Sequence, residues 1–263
     1  MRLVKAPNMT ALFHRLCDVL VNSEDLVPGK DGKGYNHRGE FYIHPYDFFC
    51  VVQSAKAPDL YLEDFGYASN GAKITHLMKK YLDPEAVRTW RDFTKKVVTE
   101  RPEVFGEIYL ATKVQHKEKG GCVTGFMYRG VPDPTLIVLS RSMEMPAKAA
   151  ADVLMIASLA RLMCKTLGLP DIKVHWFTTS IVLPSRRAFI YRVYKWPEEV
   201  VFKNEQFQKY LDDGWAKYYL TDYEFSYAAN QKTKELFLKK KAGTLKHTLD
   251  ADAFFDRLED YIA

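Results

Sequence analysis

Cysteine is scarce in this chain: there are four in 263 residues, Cys17, Cys50, Cys122 and Cys164, with no C-x-x-C pair and no Cys/His cluster. Neither a zinc site nor a disulfide framework is indicated, and a reducing cytosol is the expected setting. No stretch approaches the roughly eighteen consecutive apolar residues of a membrane span, and the basic N-terminus lacks an apolar h-region. Membrane insertion and secretion therefore lack support, and the chain reads as cytoplasmic. Internal repeats, low-complexity linkers and a domain boundary are also missing, so residues 1–263 read as one domain. Charge of one sign is not in strong excess: 38 basic against 33 acidic residues leave +5. That surplus suits an anionic ligand, with nucleic acid among the candidates, and falls far short of a histone-like balance.

What the chain does have is an ordinary globular composition, 47% hydrophobic and 27% charged, with 14% aromatic residues that favour a β-rich core. Thr10 is placed to cap a first helix carrying Phe13, Leu16 and Leu20. The run Val27-Pro28-Gly29-Lys30-Asp31-Gly32-Lys33-Gly34 reads as a hairpin or a phosphate-contacting loop ahead of a strand at Phe41-Tyr42-Ile43. Ile74, Leu77, Met78 and Tyr81 line one helix face. Asp83-Pro84 then caps a second helix bearing Val87, Trp90, Phe93 and Val97. Strands are expected at 108–112, 122–128, 136–139, 172–177 and 188–194, with Cys122, Thr124, Phe126 and Tyr128 on one face of the second. The strongest helix starts at Pro146, repeats Val153, Ile156, Ala160, Met163 and Leu167 at 3-4 spacing, and stops at Gly168-Leu169-Pro170. After Trp196-Pro197 the chain is richer in charge and aromatics, with a basic run at 239–241 and a final helix capped by Thr248.

Three features sit at informative distances: Cys122 after two glycines, Arg141-Ser142 nineteen residues on, and Asp152 eleven residues further. A thiol, a fixed cation and a carboxylate on an apolar helix suit a pocket for an anionic, ring-bearing ligand. Each has a plainer reading. Unpaired cysteines are usually small core hydrophobes. Arg141 at the end of an apolar strand pairs with a carboxylate or a phosphate, Glu144 being the nearest internal candidate. An Asp early in a helix can simply complement its dipole.

In this order and spacing the residues resemble the thymidylate synthase superfamily, most closely its phage deoxycytidylate hydroxymethylase branch. The resemblance covers roughly residues 10–195. It implies an α+β fold with a large mixed sheet, the long helix packed on it, a family-like core over 1–197 and a C-terminal helical extension over 198–263. Cys122 stands where the family's nucleophile adds to C6 of a pyrimidine. Arg141-Ser142 stand where its phosphate grip lies, and Asp152 where an Asn or Asp reads the base, the carboxylate suiting cytosine. Lys30 matches a phosphate-binding position, Ser180 falls in a segment similar to the sugar-binding strand and turn, and Trp90 sits where a folate-stacking Trp often occurs. The resemblance further implies a pyrimidine deoxynucleotide substrate, methylene-tetrahydrofolate as one-carbon donor, no metal, a homodimer and, for the phage branch, an infected bacterial cytoplasm.

The departures are specific. Leu77 occupies the position of the proton-relaying Glu, Val104-Phe105 that of paired arginines, and Val182 and Pro184 those of the sugar-binding His and Tyr. A divergent C5-modifying transferase acting through Cys122 is one expectation. A second is a catalytically altered relative that binds nucleotide or nucleic acid, or serves as a partner subunit. A third is an unrelated α+β protein.

Overall fold

The computed structural model describes residues 1–21, 27–28, 41–44, 46–65, 67, 71–101, 123–145, 147–184, 235–236, 238–239 and 242–263. Two neighbouring strands organise it. Strand β6 (Thr135–Ser140) and strand β8 (Lys173–Thr178) lie parallel at the centre of a five-stranded sheet. On one side β4 (Phe48–Ser54) pairs antiparallel with β8, and β1 (Arg2–Asn8) pairs parallel with β4 at the edge. On the other side β5 (Val123–Arg129) closes the sheet against β6. A second, four-stranded sheet runs in the order β2 (Val27–Pro28), β3 (Phe41–His44), β9 (Ile181–Pro184), β7 (Met143–Glu144). The architecture is therefore α+β with mixed sheets. The antiparallel pairing of β2 with β3 agrees with the hairpin reading, while residues 29–40 between them lie outside the described residues.

One face of the large sheet is sealed by helices. Alternate strand residues, among them Phe48, Cys50, Val52, Val138, Val174 and Trp176, are fully buried there. Helix α1 (Met9–Val21) packs on β1 and β4 through its Met9, Leu12, Phe13 and Leu16 side. Helix α4 (Ala147–Leu167) is buried at every position from Ala149 to Ala160, its small residues letting neighbouring elements approach closely. It ends within a residue of expectation. Gly168 takes φ +67 and the Leu169 N–H reaches back to the Cys164 carbonyl at 2.9 Å, the glycine-terminated motif that Gly-Leu-Pro suggests.

Helices α2 (Gly71–Tyr81), α3 (Pro84–Glu100) and α5 (Ala251–Ile262) complete the helical layer, with α5 against α4, α2 and α3. Ile74, Leu77, Met78 and Tyr81 are all buried on α2, as the spacing predicts. Asp83 caps α3 by accepting from the N–H groups of Glu85 and Ala86, with Pro84 in the first turn. Phe254, Phe255, Leu258 and Ile262 bury one side of α5. A fully buried side chain of that size contributes about 1.5–3 kcal/mol, so α5 belongs to the common core. No helix among the described residues is long and apolar enough to cross a membrane.

The opposite face of the large sheet carries register-aligned rows. Leu3, Phe49, Phe177 and Leu139 form one; Lys5, Val51, His175, Ile137 and Met127 form the next. Leu3 is 55% exposed and the apolar members of these rows are otherwise half-buried. Lys173, Thr135 and Arg129 form a third row with two cations.

Several local expectations need correction. Asn8, not Thr10, caps α1: its Oδ1 accepts from the Ala11 N–H at 2.8 Å, while the Thr10 hydroxyl donates to the Pro58 carbonyl. Asp250, not Thr248, caps α5. The alternation of 122, 124, 126 and 128 fails because β5 carries a bulge: Val123 lies opposite Ser140 but Gly125 opposite Leu139, so one extra residue, Thr124, is accommodated. Val123 is thereby buried with Phe126 and Tyr128, and Thr124 is exposed. Strands β1 and β4 were not expected, although the apolar run Phe48-Phe49-Cys50-Val51-Val52 is a strand signal. The strands expected at 108–112 and 188–194 lie outside the described residues.

Candidate functional site

Both central strands leave the large sheet together. Ser140 and Thr178 are their last register pair in it; Met143 and Ile181 are the first pair of β7 and β9, their continuations in the second sheet. Between these pairs lie two aligned two-residue bends, Arg141-Ser142 and Thr179-Ser180. Main-chain hydrogen bonds stitch them, from the Thr179 N–H to the Ser140 carbonyl at 3.3 Å and from the Met143 N–H to the Ser180 carbonyl at 2.8 Å. Side chains add to this. The Thr179 hydroxyl donates to the Arg141 carbonyl at 2.6 Å and the Thr178 hydroxyl to the Ser180 carbonyl at 3.3 Å. Beneath the bends the buried Trp176 indole donates to Ser140 Oγ at 2.7 Å. The backbone is thus held from several sides while Arg141 and Thr179 stand exposed and Ser142 and Ser180 half-buried.

Two further segments converge on this junction. Strand β5 begins at Val123, the partner of Ser140 and so next to the first bend. The bulge at Thr124 falls at this end, and its hydroxyl donates to the Leu139 carbonyl at 3.2 Å. Helix α4 departs just beyond β7, and Lys148 on its first turn pairs with Glu144 of β7 at 2.6 Å, both side chains less than a fifth exposed. Asp152, in the second turn of α4, is 1% exposed. A carboxylate so buried needs hydrogen-bond donors to offset the loss of water.

The structure therefore brings Arg141, Ser142 and Ser180 to one junction and places Asp152 on the helix that leaves it. Cys122 and Lys30 lie outside the described residues, as do Val104 and Phe105. Trp90 is fully buried on α3. Leu77 is buried on α2, an apolar side chain within the core. Of the other thiols, Cys17 and Cys50 are buried and Cys164 is partly so. Burial pushes Cys50 up to about 12, and burial together with nearby Asp171 pushes Cys164 up to about 11. Among the described residues no group of three or more His, Cys, Asp or Glu is placed to hold a metal ion.

Thr179 and Trp176 were not expected as site residues, because their role depends on β6 and β8 being neighbours. The sequence signals for them are the polar run Thr178-Thr179-Ser180 directly after an apolar strand and their place in the segment that resembles a sugar-binding strand and turn. Glu63 was also not expected. It lies in the 3-10 turn Leu62–Phe65 and is 2% exposed, and its carboxylate holds the segment leading into α5.

No protein-family profile matches the chain, and no curated protein does. Among solved structures the chain is similar to the thermostable thymidylate synthase A from Bacillus subtilis, at 9% identity and a TM-score of 0.46, over 71% of this chain and 83% of that one.

Proposed function

We propose that this protein is a divergent pyrimidine C5-modifying transferase of the thymidylate synthase and deoxycytidylate hydroxymethylase type, with Cys122 as nucleophile. The observation that carries the reading is the pairing of Val123 with Ser140. Cys122 is covalently joined to the first and Arg141 to the second, so one peptide unit separates each from the same register pair. In this reading Arg141 and Ser142, with Lys30 and Ser180, hold the phosphate and sugar of a deoxynucleotide. Asp152 accepts from the exocyclic amine of cytosine. The Cys122 thiolate adds to C6, forming a C–S bond and making C5 nucleophilic. C5 takes up an electrophile, its hydrogen leaves as a proton, and expulsion of the thiolate restores the C5–C6 double bond.

The donor that the resemblance implies is methylene-tetrahydrofolate. The residue it offers for stacking, Trp90, turns no ring face to solvent. The described residues therefore do not fit that group.

The same resemblance supports a homodimer formed by a second copy on the sheet face opposite the helices. Its two rows cross four and five strands at about 4.8 Å spacing, with Leu3, Phe49, Phe177, Leu139, Val51, Ile137 and Met127 as the apolar members.

Leu77 favours a second reading. A buried leucine cannot relay protons, and a nucleotide-binding protein or partner subunit without turnover has no need of a carboxylate there. The basic run lends little to a nucleic-acid role, since Lys239 is paired with Glu235 at 2.6 Å.

Release of tritium from C5 of labelled dCMP and dUMP separates these readings, with and without methylene-tetrahydrofolate. The transferase reading expects release that favours dCMP and vanishes in Cys122→Ala. Equal release by wild type and variant, or none from either, removes it. Nucleotide binding without release leaves the second reading.

A further inference from the structure

We propose that Thr179 is a positioning residue for anion binding at the strand junction: its hydroxyl fixes the peptide carbonyl of Arg141 and thereby aims the guanidinium at the ligand's phosphate. This inference rests on the reading of Arg141 as the phosphate anchor and assigns a new residue to that site.

Within either sheet a ladder of backbone hydrogen bonds fixes each residue, but Arg141 and Ser142 lie between the last rung of one sheet and the first rung of the other. A residue in such a gap must have its dihedral angles set by other groups. On the side before Arg141, Ser140 is held by the Thr179 N–H and by the Trp176 indole. On the side after it, the Met143 N–H is held by the Ser180 carbonyl. At Arg141 itself the Thr179 hydroxyl donates to the carbonyl at 2.6 Å. The orientation of that carbonyl plane and the direction of the Arg141 side chain share one α-carbon, so a hydrogen bond to the first restricts the second.

The choice of side chain fits this role. Thr179 is exposed, and burial gives no reason for a β-branched residue at that place. Its hydroxyl spans from one bend to the other, which Val, equal in shape, cannot do. Holding a long cationic side chain ready reduces the entropy lost when it closes on an anion. Arg141 is exposed and so can meet a ligand from solvent.

The test uses the full chain and calorimetric titration with dCMP and with deoxycytidine, which lacks the phosphate. For Thr179→Val the loss of one neutral hydrogen bond predicts about fivefold weaker dCMP binding with deoxycytidine affinity unchanged, and a melting temperature lower by roughly 2–4 °C. Thr179→Ser, which keeps the hydroxyl, restores wild-type affinity. In an Arg141→Ala background Thr179→Val causes no further loss, because the group being aimed is gone. Should Thr179→Val fold poorly, Thr179→Ala against Thr179→Ser makes the same comparison. Wild-type dCMP affinity in Thr179→Val, or equal loss for dCMP and deoxycytidine, overturns the positioning role alone. A wild-type protein that binds dCMP no better than deoxycytidine overturns the phosphate reading of Arg141 and this inference with it.

Discussion

Glu63 accepts from both the backbone N–H and the hydroxyl of Thr248, each at 2.7 Å, joining residues 185 positions apart in the chain. The same carboxylate takes the Leu249 N–H at 3.0 Å, and the Leu62 N–H returns a bond to the Leu249 carbonyl. A buried acceptor with several donors is costly to delete, because each donor is then stranded. Glu63→Ala is expected to lower stability by about 3 kcal/mol, and in a chain of this size the melting temperature by roughly 6–12 °C. The segment that leads into α5 is the part released. Hydrogen exchange should rise first at residues 248–262, and unchanged exchange there would show that α5 is held by its apolar side alone.

Stability should fall with acid through His175. Its pKa is lowered by burial first, then by the cations Arg129 and Lys173. Val51 and Ile137 flank it in register, the Phe49 ring meets it edge-on at 5.5 Å, and Lys5 ends its row. No carboxylate stands in these rows to favour the imidazolium. The unfolded chain therefore takes up this proton near pH 6.5 while the folded chain resists it to lower pH. The contribution is full above 6.5, is lost as pH falls from there through the folded pKa, and is constant below it. Urea midpoints of wild type and His175→Gln between pH 7.5 and 5 are the measurement. The wild type should lose more over that range, and parallel curves would remove His175 as the cause.

Trp176 and Ser140 make a buried hydrogen bond of 2.7 Å directly beneath the first bend. Ser140→Ala leaves the indole N–H without that acceptor and should cost about 1–3 kcal/mol. Trp176→Phe strands the hydroxyl and opens space, at about 2–4 kcal/mol. Because both losses include the same bond, the double variant should cost less than the two together by about 1 kcal/mol in urea unfolding. Strict additivity would mean that the two groups do not interact in solution.

How much of this was legible in the sequence depended on whether the signal was local. Helix α4 was, since its 3-4 spacing and Gly168-Leu169-Pro170 stop are complete within one segment. Caps were legible in kind but not in place: Thr10 and Thr248 each stand two residues from the true caps, Asn8 and Asp250. Any of these side chains can cap, and only the backbone selects which one does. The bulge at Thr124 was hidden because register belongs to a pair of strands, and β5 alone shows unbroken alternation. The junction was half legible. Arg141-Ser142 could be singled out by spacing, but Thr179 acquires meaning only when β8 is known to lie beside β6.

The sheet face opposite the helices makes a prediction about assembly. If a second copy covers it, a charge placed centrally among Val51, His175, Ile137 and Met127 must be desolvated on association. Ile137→Glu should convert a species of twice the 30.4 kDa chain mass into one of that mass in light scattering, with the monomer still folded by circular dichroism. A half-buried strand residue facing away from the helices tolerates such a change better than a core residue would. A wild type that already scatters as a single chain would sink the dimer.

Thiol chemistry gives the most direct check on the nucleophile. Alkylation requires thiolate and access, and three of the four cysteines lack one or both. Cys17 and Cys50 are buried, with Cys50 pushed up to about 12; Cys164 is half-buried and pushed up to about 11. At pH 7.5 the thiolate fraction at Cys164 and Cys50 is then below about one in a thousand. If Cys122 is the nucleophile, iodoacetamide on the native protein should modify it first, as read by peptide mass spectrometry. Saturating dCMP should slow that reaction by covering the sulfur. Protection by dCMP but not by deoxycytidine would tie the thiol to the phosphate-anchored ligand at Arg141. Labelling of Cys122 at the rate of a free thiol, indifferent to dCMP, would leave it an ordinary exposed cysteine and end its claim to catalysis.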